Sequence, residues 1–106
     1  MEIRIPAQLQ RGLANAVVAR NIVVTNDANG IAVGLTANDA GKGTITTLAP
    51  NGKTLVTRGS SDNGGLIYVW NKTGEFIAEM GADEYGNGLV GAYNSKGDGR
   101  TLKPGP

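Results

Sequence analysis

Four carboxylates, three serines and four aromatic rings are the side chains whose placement in this sequence could support chemistry. Asp39, Asp62, Asp83 and Glu84 sit in "ANDAGKG", "SSDNGG" and "GADEYGNG". A glycosidase needs two carboxyl groups facing each other across a cleft, one of them held protonated. These acids fall instead in equivalent polar stretches, where Asp earns its place by bonding its own backbone in a turn. Ser60, Ser61 and Ser95 have no imidazole to activate them, because the chain contains no histidine. That absence also removes the commonest general base and the commonest metal ligand. No catalytic residue is expected, and the chain reads as a non-enzyme.

Ligand sites fare little better. Asp- and Asn-rich turns supply hard oxygen donors of the kind calcium takes, but the sequence has neither an EF-hand loop nor the calcium-binding nonapeptide. "GAYNSKGDGR" and "GSSDNGG" have the glycine content of phosphate-cradling loops without the following helix. The expectation is therefore no cofactor and no metal. Tyr68, Trp70, Tyr93 and the loop residue Tyr85 could together form a ligand face that stacks sugar rings. Against this, Trp70 and Tyr93 hold equivalent positions and would serve equally to pack neighbouring hairpins together.

The elements that would position these groups are marked by glycines. Gly30, Gly52, Gly74 and Gly97 lie 22, 22 and 23 residues apart and close the turns "NDANG", "APNG", "NKTG" and "NSKG". Seven residues before them stand Val23, Ile45, Ile67 and Val90; five before them stand Thr25, Thr47, Val69 and Ala92. A second polar turn follows each return strand. Matched columns at a fixed period are the mark of a repeat array. Asn or Asp ahead of Gly suits a type I turn ending in a residue at positive φ. Flanking runs rich in Val, Ile, Thr, Tyr and Trp favour strands. The units are hairpins of about 22 residues, 21–42, 43–64, 65–87 and 88–106, preceded by a lead-in segment over 1–20. Within that segment "AQLQRGLANAVVAR" admits a short helix or a strand, the latter over 14–26.

In "LIYVW", Ile67 and Val69 face one side and Leu66, Tyr68 and Trp70 the other. A sheet apolar on both faces needs cover on both. The fold class expected is an all-β antiparallel meander that covers itself by self-association, as a homotrimeric triangular prism. The alternative is a monomeric β-sandwich or barrel. Val23, Ile45, Ile67, Val69 and Val90 are the candidate interface residues. Net charge is +1 and the ten basic residues are scattered. That argues against nucleic acid as a partner. No apolar run reaches the roughly 18 residues of a membrane-spanning helix, and "MEIRIPAQLQ" does not read as a signal peptide. Disulfides are excluded, since there is no cysteine.

"LIYVWNKTGEFIAEMGADEYGNG" (Leu66 to Gly88) and "LVGAYNSKGDGRTLKPGP" (Leu89 to Pro106) resemble a loosely defined group of uncharacterised bacterial hairpin-repeat proteins, found in planctomycetes and related bacteria, with units like "LVxVYNKDGKxVAxLGADExGNG". The resemblance covers most of 21–106 and implies repeated β-structure and a bacterial origin. It carries over no functional residue. In its first unit Asn26 replaces the aromatic found at Trp70 and Tyr93. The expected role is a non-catalytic structural or assembly module, a spacer, stalk or tip of a bacterial or phage-like assembly whose main partner is itself. The alternative is a module that binds carbohydrate or another protein through exposed aromatics and polar loops.

Overall fold

The computed structural model describes residues 16–104. Its architecture follows from one turn used six times. At Asn26, Asn38, Ala49, Asn71, Asp83 and Asn94 the backbone N–H donates to the carbonyl four residues on, and the carbonyl accepts from the N–H three residues on. This is a type I turn closed by one residue at positive φ. The side chain of the first residue holds the turn: Asn71 Oδ1 accepts from the N–H groups of Thr73 and Glu75 at 3.1 and 3.0 Å, and Asp83 Oδ1 accepts from Tyr85 and Asn87 at 2.9 Å each. Ala49 has no such oxygen, and Asn51 Oδ1 substitutes by accepting from Lys53 N–H. Asp62 and Asn63 make the remaining, tighter turn between Ser61 and Gly64.

These turns link eight strands: β1 Asn21–Thr25, β2 Ile31–Ala37, β3 Gly43–Leu48, β4 Thr54–Ser61, β5 Gly64–Trp70, β6 Phe76–Ala82, β7 Gly88–Tyr93 and β8 Gly99–Leu102. All neighbours pair antiparallel in sequence order, giving one eight-stranded meander. No helix occurs among the described residues. The sheet is open: β1 and β8 are its two edges and do not meet. A closed barrel or two-sheet sandwich is therefore not what the chain forms. The strands are joined by turns too short to carry one of them over a neighbour. Strand structure begins at Asn21, so the strand expected over 14–26 is shorter at its start, with residues 14 and 15 outside the described range.

The first hairpin differs from its expected alignment by one residue. The positive-φ position of its turn belongs to Asn29, at 61°, where the other turns of that edge have Gly52, Gly74 and Gly97. Asn tolerates the left-handed region because its amide can bond locally. Gly30 is the next residue and holds an ordinary φ. Every column counted from Gly30 shifts accordingly. Ile22, not Val23, joins the row of Ile45, Ile67 and Val90. Thr25, not Asn26, precedes the turn as Trp70 and Tyr93 do.

The described residues enclose no conventional interior. Among the described residues no hydrophobic side chain is buried, and Gly91 alone falls in the buried class. The radius of gyration is 17.2 Å, against about 13 Å for a compact chain near this length.

Candidate functional site

Register pairs place residues opposite each other on a common face. One row crosses the whole sheet: Ile22, Leu35, Ile45, Arg58, Ile67, Met80, Val90, Leu102. Two residues further along lies a parallel row on the same face: Val24, Val33, Thr47, Val56, Val69, Ala78, Ala92, Arg100. Toward the opposite edge the row is built from Ala37, Gly43, Ser60, Gly65, Ala82 and Gly88. This face, here the aliphatic face, carries no acid in any of these rows. Val24, Leu35, Ile45, Met80, Val90 and Leu102 are all exposed on it, Met80 by 54% and Leu102 by 74%.

The other face is mixed. Its central row is Val23, Gly34, Thr46, Thr57, Tyr68, Glu79, Gly91, Thr101. After Val23, strands β2 to β4 give it glycine and threonine; the rings of this face come from β5 to β7. Of the five interface candidates, Ile45, Ile67, Val69 and Val90 share the aliphatic face, whereas Val23 lies on the mixed face opposite Gly34. Strict alternation of side chains puts adjacent residues on opposite faces, so the one-residue offset at Asn29 reverses the face of Val23.

The aromatic candidates resolve into a cluster and an outlier. Tyr68 and Trp70 meet edge-on, with centroids 6.0 Å apart. Phe76 completes the group, lying 5.2 Å from Tyr68, 5.8 Å from Trp70 and 5.7 Å from Tyr93, the last nearly parallel. Phe76 was not legible as a member. Alternation back from Ala78 assigns it to the aliphatic face, but the ladder slips between Val69 and Trp70, pairing Trp70 with Phe76 and leaving Ile77 as the extra residue. A bulge of this kind re-aims the side chain that follows it. The signal available in sequence was the turn itself, because register shifts also flank the turns at Val24/Thr25 and Thr47/Leu48. Tyr85 stands apart in its turn, 79% exposed.

Tyr93 folds back over Gly91, where an added Cβ would lie 2.5 Å from its phenol oxygen. The ring covers the gap that the glycine leaves and puts its hydroxyl beside Glu79. Tyr93 Oη donates to Glu79 Oε2 at 2.9 Å. That bond holds the phenol proton and, with partial burial and the carboxylate charge, raises the Tyr93 pKa.

The turn acids are occupied locally. Asp39 pairs with Arg20, and Asp62 Oδ1 meets Lys42 Nζ at 3.0 Å. The hydrogen bond and charge of Lys42 hold the Asp62 carboxyl below its ordinary range. Both aspartates are almost fully exposed, so such pairs contribute little to stability. Asp83 accepts backbone hydrogen bonds, as above. Glu75 is held below the ordinary glutamate range first by the Thr73 hydroxyl. Ser61 Oγ accepts from Asn63 N–H in the tight turn. Among the described residues no three Asp or Glu side chains converge as a metal would require. No described helix is long and apolar enough to cross a membrane. The chain matches no family model and no curated relative.

Proposed function

We propose that this chain is a self-associating structural module, a spacer, stalk or tip within a larger bacterial or phage-like assembly. One observation carries the reading: an eight-stranded sheet with apolar side chains on both faces buries none of them. Large exposed apolar patches mark sites of association. Ribbons of equal hairpins associate by symmetry, and a homotrimer arranged as a triangular prism provides each sheet with two neighbours. The likeness to bacterial hairpin-repeat sequences accords with this role. Light scattering tests the reading at micromolar concentration. An oligomer of fixed order, three chains in the preferred form, is the expected outcome. A monodisperse monomer that keeps its β-sheet signal overturns it.

A second reading, a carbohydrate- or protein-binding module, draws on the cluster of Tyr68, Trp70, Phe76 and Tyr93 and on exposed Tyr85. The edge-on contacts within the cluster work against it. Rings that meet edge to face spend on each other the flat surfaces a sugar would need. Trp70 fluorescence separates the readings. An emission that does not shift with added oligosaccharides favours the structural role; a saturable shift favours binding.

A further inference from the structure

We infer that the aliphatic face is the one that seats a second copy of this chain, and that the mixed face points away from it. The inference rests on the self-association proposed above and adds which surface does it. Eight strands about 4.8 Å apart, averaging about six residues at about 3.3 Å each, cover roughly 750 Å². A stable interface takes about 800 Å² per partner. One whole sheet face therefore supplies the area, and a copy of the same sheet supplies a surface of the same size and chemistry. Among the described residues every strand is part of this one sheet, and none forms a second layer over it. Aliphatic sheet faces interdigitate where they meet, as in the core of a sandwich, and in the prism proposed above each inner face meets the inner faces of its two neighbours.

The two faces differ in what burial would cost. On the mixed face a copy would bury the charged Glu79 carboxylate, whose one partner is the Tyr93 hydroxyl, and a field of threonine hydroxyls that would each need a new partner. On the aliphatic face the paired rows contain no acid and two hydroxyls, Thr47 and Ser60. They contain two charges, Arg100 on the edge strand β8 and Arg58 in the central row, so that only Arg58 lies within the sheet. Its long stem can lie along the row of small residues through Ser60 and Gly65 and keep its head at the rim.

Because the chain has no cysteine, single thiols report each face cleanly. Val90 and Val23 form a matched pair, 45% and 50% exposed in the lone sheet on opposite faces. Met80→Cys and Thr101→Cys form a second pair. Each variant is treated with a water-soluble aromatic disulfide, with circular dichroism and light scattering recorded on the same sample. In the oligomer, Val90→Cys and Met80→Cys are expected to react at least about tenfold more slowly than Val23→Cys and Thr101→Cys. Equal rates in an intact oligomer, or slow reaction at Val23→Cys and Thr101→Cys, overturn this inference while leaving self-association standing. A folded monomer with all four thiols fast overturns both. Two positions per face keep the comparison decisive if one variant does not fold.

Discussion

The two faces of this sheet are built from the same strands and differ in how they stay ordered. On the mixed face, β5 to β7 satisfy themselves: Phe76 touches three other rings, Tyr93 covers Gly91, and Glu79 receives the Tyr93 hydroxyl. On the aliphatic face, Ile, Leu, Met and Val of the central row and the valines of the row beside it stand side by side, with nothing above them among the described residues. Cross-strand neighbours contribute a few tenths of a kcal/mol to about 1 kcal/mol per pair. They cannot replace the cover that a second layer gives. The lesson is that an apolar residue within a sheet is not thereby a core residue. Whether it is depends on what lies over the ladder.

The largest effect expected from breaking this contrast comes from adjacent residues of β3. Ile45→Asp places a charge on the aliphatic face, and Thr46→Asp places the same charge on the mixed one. In the self-association reading Ile45→Asp weakens association by about 3 kcal/mol, roughly a hundredfold, and Thr46→Asp by far less. Light scattering across a dilution series measures both. Equal losses would erase the distinction between the faces.

The next effect sharpens the mixed face. Phe76→Ala removes the ring shared by Tyr68, Trp70 and Tyr93 and is expected to cost about 2 kcal/mol, less than for a fully buried phenylalanine. Urea unfolding gives the value. The oligomer order should not change, which a purely interfacial Phe76 would not allow.

Turns come third. Gly74→Ala forces a β-carbon into the left-handed region and is expected to cost about 1–2 kcal/mol. Asn29→Gly, at the same place in the first turn, is expected to add about half a kcal/mol. Thermal melts of both variants test whether the two hairpins share one turn geometry.

The smallest effect is with pH. The Glu75 carboxyl lies below its unfolded value because the Thr73 hydroxyl and backbone N–H groups favour the ionised form. A depressed acid stabilises the fold fully above its unfolded pKa and loses that contribution as pH falls through the lower folded value. Stability should therefore fall slightly below the ordinary glutamate range, and Thr73→Val should flatten that slope. Melting temperatures at stepped acidic pH measure it.

Much of the fold was legible because turn chemistry and strand composition agree locally. "NKTG" and "NSKG" announce a type I turn with Gly at positive φ, and the flanking runs are rich in the Val, Ile, Thr and Tyr that favour strands. Legibility failed where one residue type replaced another in the same conformation. Asn29 does what glycine does elsewhere, and counting from Gly30 moved Val23 to the wrong row. It failed again at Phe76, because a bulge alters which way a side chain points without altering the sequence pattern that precedes it. The antiparallel meander was expected, but the alternative of a closed sandwich or barrel fell only with the structure, since nothing in a strand's composition tells whether its two-sided apolarity is met by its own chain or by another.

Sequential pairing from β1 to β8 leaves Asn21 and Leu102 on opposite margins of the ribbon. A pull between those two ends acts along the ladder bonds and perpendicular to the strands. The load then falls on one hydrogen bond after another. Under tension the sheet would peel open fold by fold, lengthening at modest force like a pleated strap, while a tug directed along the strands would meet all the bonds of a ladder in shear.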